Sequence, residues 1–520
     1  MKCPPGRAAI SLTAAALSVV AWNAGAMAAG QVDDDILKRL DALERRNEEL
    51  ERRNRDLAGE VATMKSDRGE QWLTEERARE IRAIVEDVLA DSDGRASLRQ
   101  DGMTAGWNDG FFLASPDGRF KLEIGGLLQT RYVWSSIPGE QDDAPVTDVK
   151  LNRNQFDLPN TELWFRGHVF GPAVQYMVKT RFTNNTAIFV GQQGPVNLGN
   201  GSGVLQLLDA WIRFNLDDNW SIRAGQFRAP YSREFLITEQ YQMAVDRSVV
   251  DYHYGLGYTQ GVELDFRNDQ IHWLLAYSDG GTDNITGPAL GTVGSLPENS
   301  PWNIQEDEFA VTTRLEWKPF GAWKDFMEMT SPMGRAQGWL LGAAFHYQQT
   351  RLPVLNSAFE ASGQPYNAWY AWEVDTQYNF GGASLYAAFY YNYVDAPAVF
   401  NRLNFAVPTG INLGYVNAWG LVLQGAVYFA PKWEAFVRYE LGNWRATNQD
   451  NLVVAFQSPA MLNMLTAGVN WYLDGQDVKA TLDFGWAFEA IDPAFTDIPA
   501  GWRPSSSGEF VLRTRVQLMF

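Results

Sequence analysis

The chain is short of cysteine, histidine and positive charge, and each shortage closes off a class of function. Its one cysteine, Cys3, precedes an apolar stretch near the start. A disulfide framework is therefore excluded. Only four histidines occur, His168, His253, His272 and His346, and none has metal-pair spacing. There is no phosphate-cradling loop and no nucleophile elbow. No catalytic residue, metal or cofactor is expected. Lys+Arg number 43 against Asp+Glu 62, a formal net charge of −19. That balance excludes nucleic acid as a partner, since nucleic acid selects a basic face. It also supplies no polybasic patch for anionic lipid.

Long apolar runs are missing too. The longest, "AAISLTAAALSVVA", follows Lys2 and Arg7 and precedes the small-residue site Ala26–Met27–Ala28. It spans about 14 residues, short of the roughly 20 that a membrane helix needs. A signal peptide over 1–29 is the expected reading. Its removal would take Lys2 and Arg7 and move the charge from −19 to −21. No later run reaches about 18 apolar residues, so no transmembrane helix is expected.

What is present begins with heptads. Ile36, Leu40, Leu43, Asn47, Leu50, Asn54, Leu57, Val61 and Met64 recur at spacings of 4 and 3. This is a coiled-coil seam rather than a lone solvated helix. Asn47 and Asn54 in the seam fix register, and such asparagines often suit dimers. A second helix is expected over 75–91, capped by Thr74, with a charged linker after it. The predicted organisation is a signal peptide over 1–29, a coiled coil over 30–68, a helix and linker over 69–110, and a barrel over 111–520.

From Phe120 onward the period becomes two. In "FKLEIGGLLQTRYVW", Leu122, Ile124, Leu128, Tyr132 and Trp134 share one face; Lys121, Glu123, Gln129 and Arg131 share the other. "DVKATLDFGWAF" and the closing "RTRVQLMF" alternate in the same way. Short turns such as 170–173, 216–219, 267–269, 380–382, 430–432 and 473–476 alternate with long connections. One turn, 320–337, is longer than its class. Aromatic residues recur near strand ends on the apolar face, among them Trp273, Trp317, Trp339 and Tyr378. A soluble sandwich would keep its charges outside. Short turns on one rim, long loops on the other and two aromatic girdles define a membrane barrel. The expected fold is all-β, an antiparallel transmembrane barrel of about sixteen strands, preceded by the coiled coil. Barrels have no free edge, so the last strand must pair with the first. Phe520 would then serve as an insertion signal read by barrel-assembly machinery.

Inward parity marks Lys121, Arg131, Arg166, Arg213, Arg223, Arg314, Arg438, Arg513 and Arg515 as pore-wall candidates. Acids such as Glu263, Glu316 and Asp483 share that face. For any one of these charges, pairing across strands is the plain alternative to a selectivity role.

The stretch "DAWIRFNLDDNWSIRAGQFRAPYSREFLITEQ", followed by "DRSVVD", resembles the phosphate-selective porin O and P family. "GVNWYLDGQDVKATLDF" and "RTRVQLMF" resemble its penultimate hairpin and last strand. The resemblance implies a trimeric sixteen-strand porin with a long loop folded into the pore. The corresponding loop is 229–257. Its constriction candidates are Arg233, Glu234, Glu239, Asp246, Arg247 and Asp251, with Arg228 at its edge. Two arginines against four acids, and no lysine, make a weak phosphate filter. A channel for ions or small hydrophilic solutes, phosphate and other anions included, is the expected function. The expected partners are a lipid bilayer, two further copies, and an envelope layer tethered by the coil in the periplasm. A structural or adhesive protein anchored by its barrel is the competing reading. A receptor of about twenty-two strands would need a globular plug, and the segment before Phe120 is too short and charged for one.

Overall fold

The computed structural model describes residues 103–520, apart from 108–109, 138–151, 184–186, 190–194, 198–203, 282–305, 352–366, 397–398, 401–409, 412–413, 448–458, 493–494, 496–500 and 504–507. The expected signal peptide, coiled coil and second helix lie outside the described residues.

Alternating side chains can bury one face only if the sheet has somewhere to put the other. Here the sheet closes on itself. Sixteen antiparallel strands form the wall. They are β1 (Lys121–Ser136), β2 (Thr161–His168), β3 (Val174–Thr183), β4 (Val204–Asn215), β5 (Trp220–Arg228), β6 (Tyr258–Arg267), β7 (Ile271–Ser278) and β8 (Glu306–Phe320). There follow β9 (Gly338–Arg351), β10 (Asn367–Asn379), β11 (Ala383–Ala396), β12 (Gly414–Ala430), β13 (Trp433–Ala446), β14 (Ala460–Asp474), β15 (Val478–Ala487) and β16 (Phe510–Met519). Each pairs with its neighbour in sequence. β16 then pairs with β1, from Phe510 opposite Ser136 to Met519 opposite Leu127. The sequence expectation of closure is met.

The β1 edge below that seam is also filled. A hairpin of Thr104–Trp107 and Phe111–Ala114 pairs with β1 from Phe111 opposite Ile124 to Ala114 opposite Lys121. Phe520 joins the two parts by exchanging backbone hydrogen bonds with Gly126 (2.8 and 3.0 Å). The hairpin crosses the boundary expected at residue 110.

The outer face is apolar. Leu423, Val427, Leu482, Phe484, Val516 and Leu518 are all exposed. At the short-turn rim, Trp433 stacks on Trp471 at 5.4 Å, and Tyr378 lies 4.4 Å from Phe380. Towards the long-loop rim, Tyr347, Tyr370, Tyr393 and Tyr415 form a chain of ring contacts. These are two girdles at the depths where amphipathic rings sit best. Among the described residues, no helix is long and apolar enough to cross a membrane.

Candidate functional site

The long connection from Arg228 to Tyr258 turns into the barrel. Two short helices shape it, α1 (Arg233–Leu236) and α2 (Val249–Tyr254). Each begins at a serine. Ser232 Oγ accepts from the Phe235 N–H, and Ser248 Oγ accepts from the Asp251 N–H. Such caps satisfy donors that the first turn leaves free. Glu234 ties the helices together by accepting from the Ser248 N–H (2.7 Å) and Oγ (2.6 Å). Burial, then the nearby charge of Asp251, pushes the Glu234 carboxyl up to about 7.

Helix α2 is seated on β11, β12 and β13. The inner face of β12 carries Val416, Ala418, Gly420 and Val422, all buried. A Cβ on Gly420 would lie 2.6 Å from both the Tyr254 ring and Val250. Glycine is thus what allows the helix to approach. Tyr254 Oη donates to the Asn443 carbonyl (3.0 Å), and Glu440 accepts from the Val249 N–H (2.6 Å).

The segment 240–246 of the loop is held by its carbonyls. Lys479 Nζ donates to Gln240 (2.9 Å) and Gln242 (3.0 Å), and Asn470 Nδ2 to Met243 (3.0 Å). Arg515 donates to Ala244 (3.2 Å) and Val245, and Arg438 to Asp246 (2.9 Å). A backbone rail is thereby fixed to β13–β16.

All seven constriction candidates come together in this loop, and all are paired. Glu239 meets Arg228 (2.7 Å), Arg181 (3.1 Å) and Lys179 (3.6 Å). Burial opposes its charge, but Arg228, Lys179 and Arg181 together hold its carboxyl well below the usual range. Asp246 bridges Arg131 (2.6 Å) and Arg513 (3.4 Å), and its carboxyl is likewise lowered against burial. Arg247 pairs with Asp251 (2.6 Å). Arg233 reaches Gln377 (2.8 Å), Glu316 (3.4 Å) and the Phe326 carbonyl.

The nine wall candidates all face inward, but they divide. Arg314, Arg438, Arg513 and Arg515 are buried beneath the loop, as is Arg131. Arg314 serves Glu316, Glu373 and Asp375, and Arg513 serves Asp483. Lys121 and Arg166 instead share Glu123, each at 2.6 Å, with side chains 31% and 54% exposed. Arg223 pairs with Glu263 (2.7 Å), which is buried, and Arg213 with Asp265 (3.6 Å); both arginines are part-exposed. Sequence parity assigns these nine charges to the face opposite the apolar band. It could not distinguish a charge facing water from one facing the loop. It also passed over Gly420, Asn470 and Lys479 as supports of that loop. The available signal was β12, apolar on both faces where a wet lumen would require alternation.

A loop from β5 to β6 folded into a closed membrane barrel invites comparison with known channels. Residues 139–296 match the family model "Phosphate-selective porin O and P". The porin match takes in β2–β7 and the whole inward loop. No curated protein matches the chain. Among solved structures, the chain is similar to an anion-selective porin from Comamonas acidovorans, at 12% identity and TM-score 0.45, covering 77% of this chain and 99% of that one. It is also similar to the outer membrane channel DcaP of Acinetobacter baumannii, at 12% identity and TM-score 0.46, covering 80% and 100%.

Proposed function

We propose that the chain is an outer-membrane porin, a water-filled channel for passive diffusion of ions or small hydrophilic solutes. The observation that carries this is the pairing of opposites in one wall. An apolar band faces outward, and charged side chains line the inside. A barrel merely anchoring an adhesive coil would have no use for a loop pinned inside it.

The permeation path follows the inner wall of β1–β7, where Lys121, Glu123, Arg166, Arg213, Arg223 and Asp265 keep contact with water. Both signs are present, which suits a weakly selective channel more than a dedicated phosphate filter. The constriction is the 229–257 loop with its six charged residues and Arg228 at its edge. The bilayer is the first partner. Heptad patterning supports association of the coil in the periplasm and a tether to another envelope layer; the resemblance to trimeric porins supports three copies per assembly, and the closing Phe520 supports delivery by barrel-assembly machinery.

Single-channel recording in planar bilayers tests the reading. Stepwise conductance is expected, with a small reversal potential in a KCl gradient. Purified, folded protein that never conducts would refute it. A strongly cation-favouring reversal potential would remove the anion reading alone.

A further inference from the structure

The turn between β8 and β9, residues 321–337, is on the short-turn rim, yet it does not stay there. Phe326, Met329, Thr330 and Ser331 are buried. The turn crosses beneath β10–β14. Asn379 Nδ2 donates to the Asp325 carbonyl (2.8 Å), and Ser384 Oγ to the Met329 carbonyl (3.1 Å). Thr330 Oγ1 donates to Glu434 and lies 3.1 Å from the Tyr428 hydroxyl. At the far side, Gln476 Nε2 donates to Glu328 (2.7 Å). The turn also meets the tip of the inward loop. The Met329 N–H donates to the Tyr241 carbonyl (3.2 Å), and Arg233 donates to the Phe326 carbonyl.

We propose that 321–337 is a second constriction element. It floors the β8–β14 half of the lumen at the short-turn rim and props the 229–257 loop from below. Solutes are thereby confined to the β1–β7 side, and the exit passes the part-exposed edge of the turn at Glu328 and Arg335. Two observations separate this from a turn that merely packs. Its partners belong to at least five different strands and turns, and one of them is the constriction loop itself. It also completes the hydrogen bonding of Glu434, which among the described residues otherwise accepts only from Asn470 (3.0 Å) and Tyr472 (2.6 Å). The inference rests on the channel reading above.

Two variants of the full chain test it in planar bilayers. In the first, 323–335 is replaced by a two-residue turn. Conductance is expected to rise at least about two-fold, because a floor across half the lumen is gone. A folded, heat-modifiable variant with unchanged conductance overturns the proposal. The second leaves the turn in place. In a Cys3→Ser background, Glu328→Cys is labelled with thiosulfonate reagents of increasing bulk. Current is expected to fall stepwise with reagent size. Asp218→Cys, on the exposed 216–219 turn, is expected to label without effect. Complete labelling at position 328 with unchanged current overturns the proposal even if the deletion does not fold. A wild-type protein without conductance would instead remove the channel reading, and this inference with it.

Discussion

Two regions of the inner wall treat the same residue types in opposite ways. Near the short turns of β1–β7 a salt bridge such as Arg166–Glu123 remains in water, Arg166 being 54% exposed, whereas Lys179–Glu162 on the same strands is buried against the loop. On β8–β16 the pairs Arg314–Glu373 and Arg513–Asp483 have 0% exposed side chains. Exposed ion pairs contribute little to stability, whereas breaking a buried one strands a charge. The wet half is therefore free to vary with the solute. The packed half is committed to holding the loop.

The largest effect that would break this contrast is expected from Arg314→Met. It leaves Glu316, Glu373 and Asp375 without their shared cation, at a cost of about 3–5 kcal/mol. Chemical unfolding in detergent measures it, and a loss comparable to that of Arg166→Ala would dissolve the distinction. Next comes Gly420→Val, where new methyl groups collide with Tyr254 and Val250. Overpacking of this kind costs about 1–3 kcal/mol, and the dislodged α2 should raise conductance.

A smaller effect is expected with pH. The Glu234 carboxyl, raised to about 7, favours the folded loop fully below its ordinary value of 4.5. That contribution is lost as pH rises through about 7. Current noise should grow above that pH, and Glu234→Gln should flatten the dependence. The smallest change in stability, about 0–1 kcal/mol, is expected from Arg166→Ala in the wet half. Its signature is instead a shift of reversal potential towards cations.

Much of the fold was legible because lipid imposes a strict period. Leu482, Phe484 and Trp486 had to point outward, and they do. The short turns and the inward loop's limits, 229 and 257, could be read for the same reason. The loop's seat could not. Asp246 meets Arg513 across 267 residues of chain. Nothing local to either residue signals the other. Alternation tells which way a side chain points and is silent on what covers it. β12 shows the point, since Val416 and Val422 look inward at protein while Leu423 and Val427 look outward at lipid.

The seat of α2 also sets an order of assembly. The helix ends at Tyr254, but its partners Tyr390 and Asn443 come 139 residues after Asp251 and 189 after Tyr254. Contacts so distant in sequence form late, after the intervening chain has been placed. Until β11–β13 arrive, Val250 and Tyr254 have no apolar surface to meet, and the inner faces of those strands are equally bare. Transiently exposed apolar surface of this kind invites aggregation. Before closure, the seat of α2 on β11–β13 is therefore as bare of partners as the lipid-facing wall.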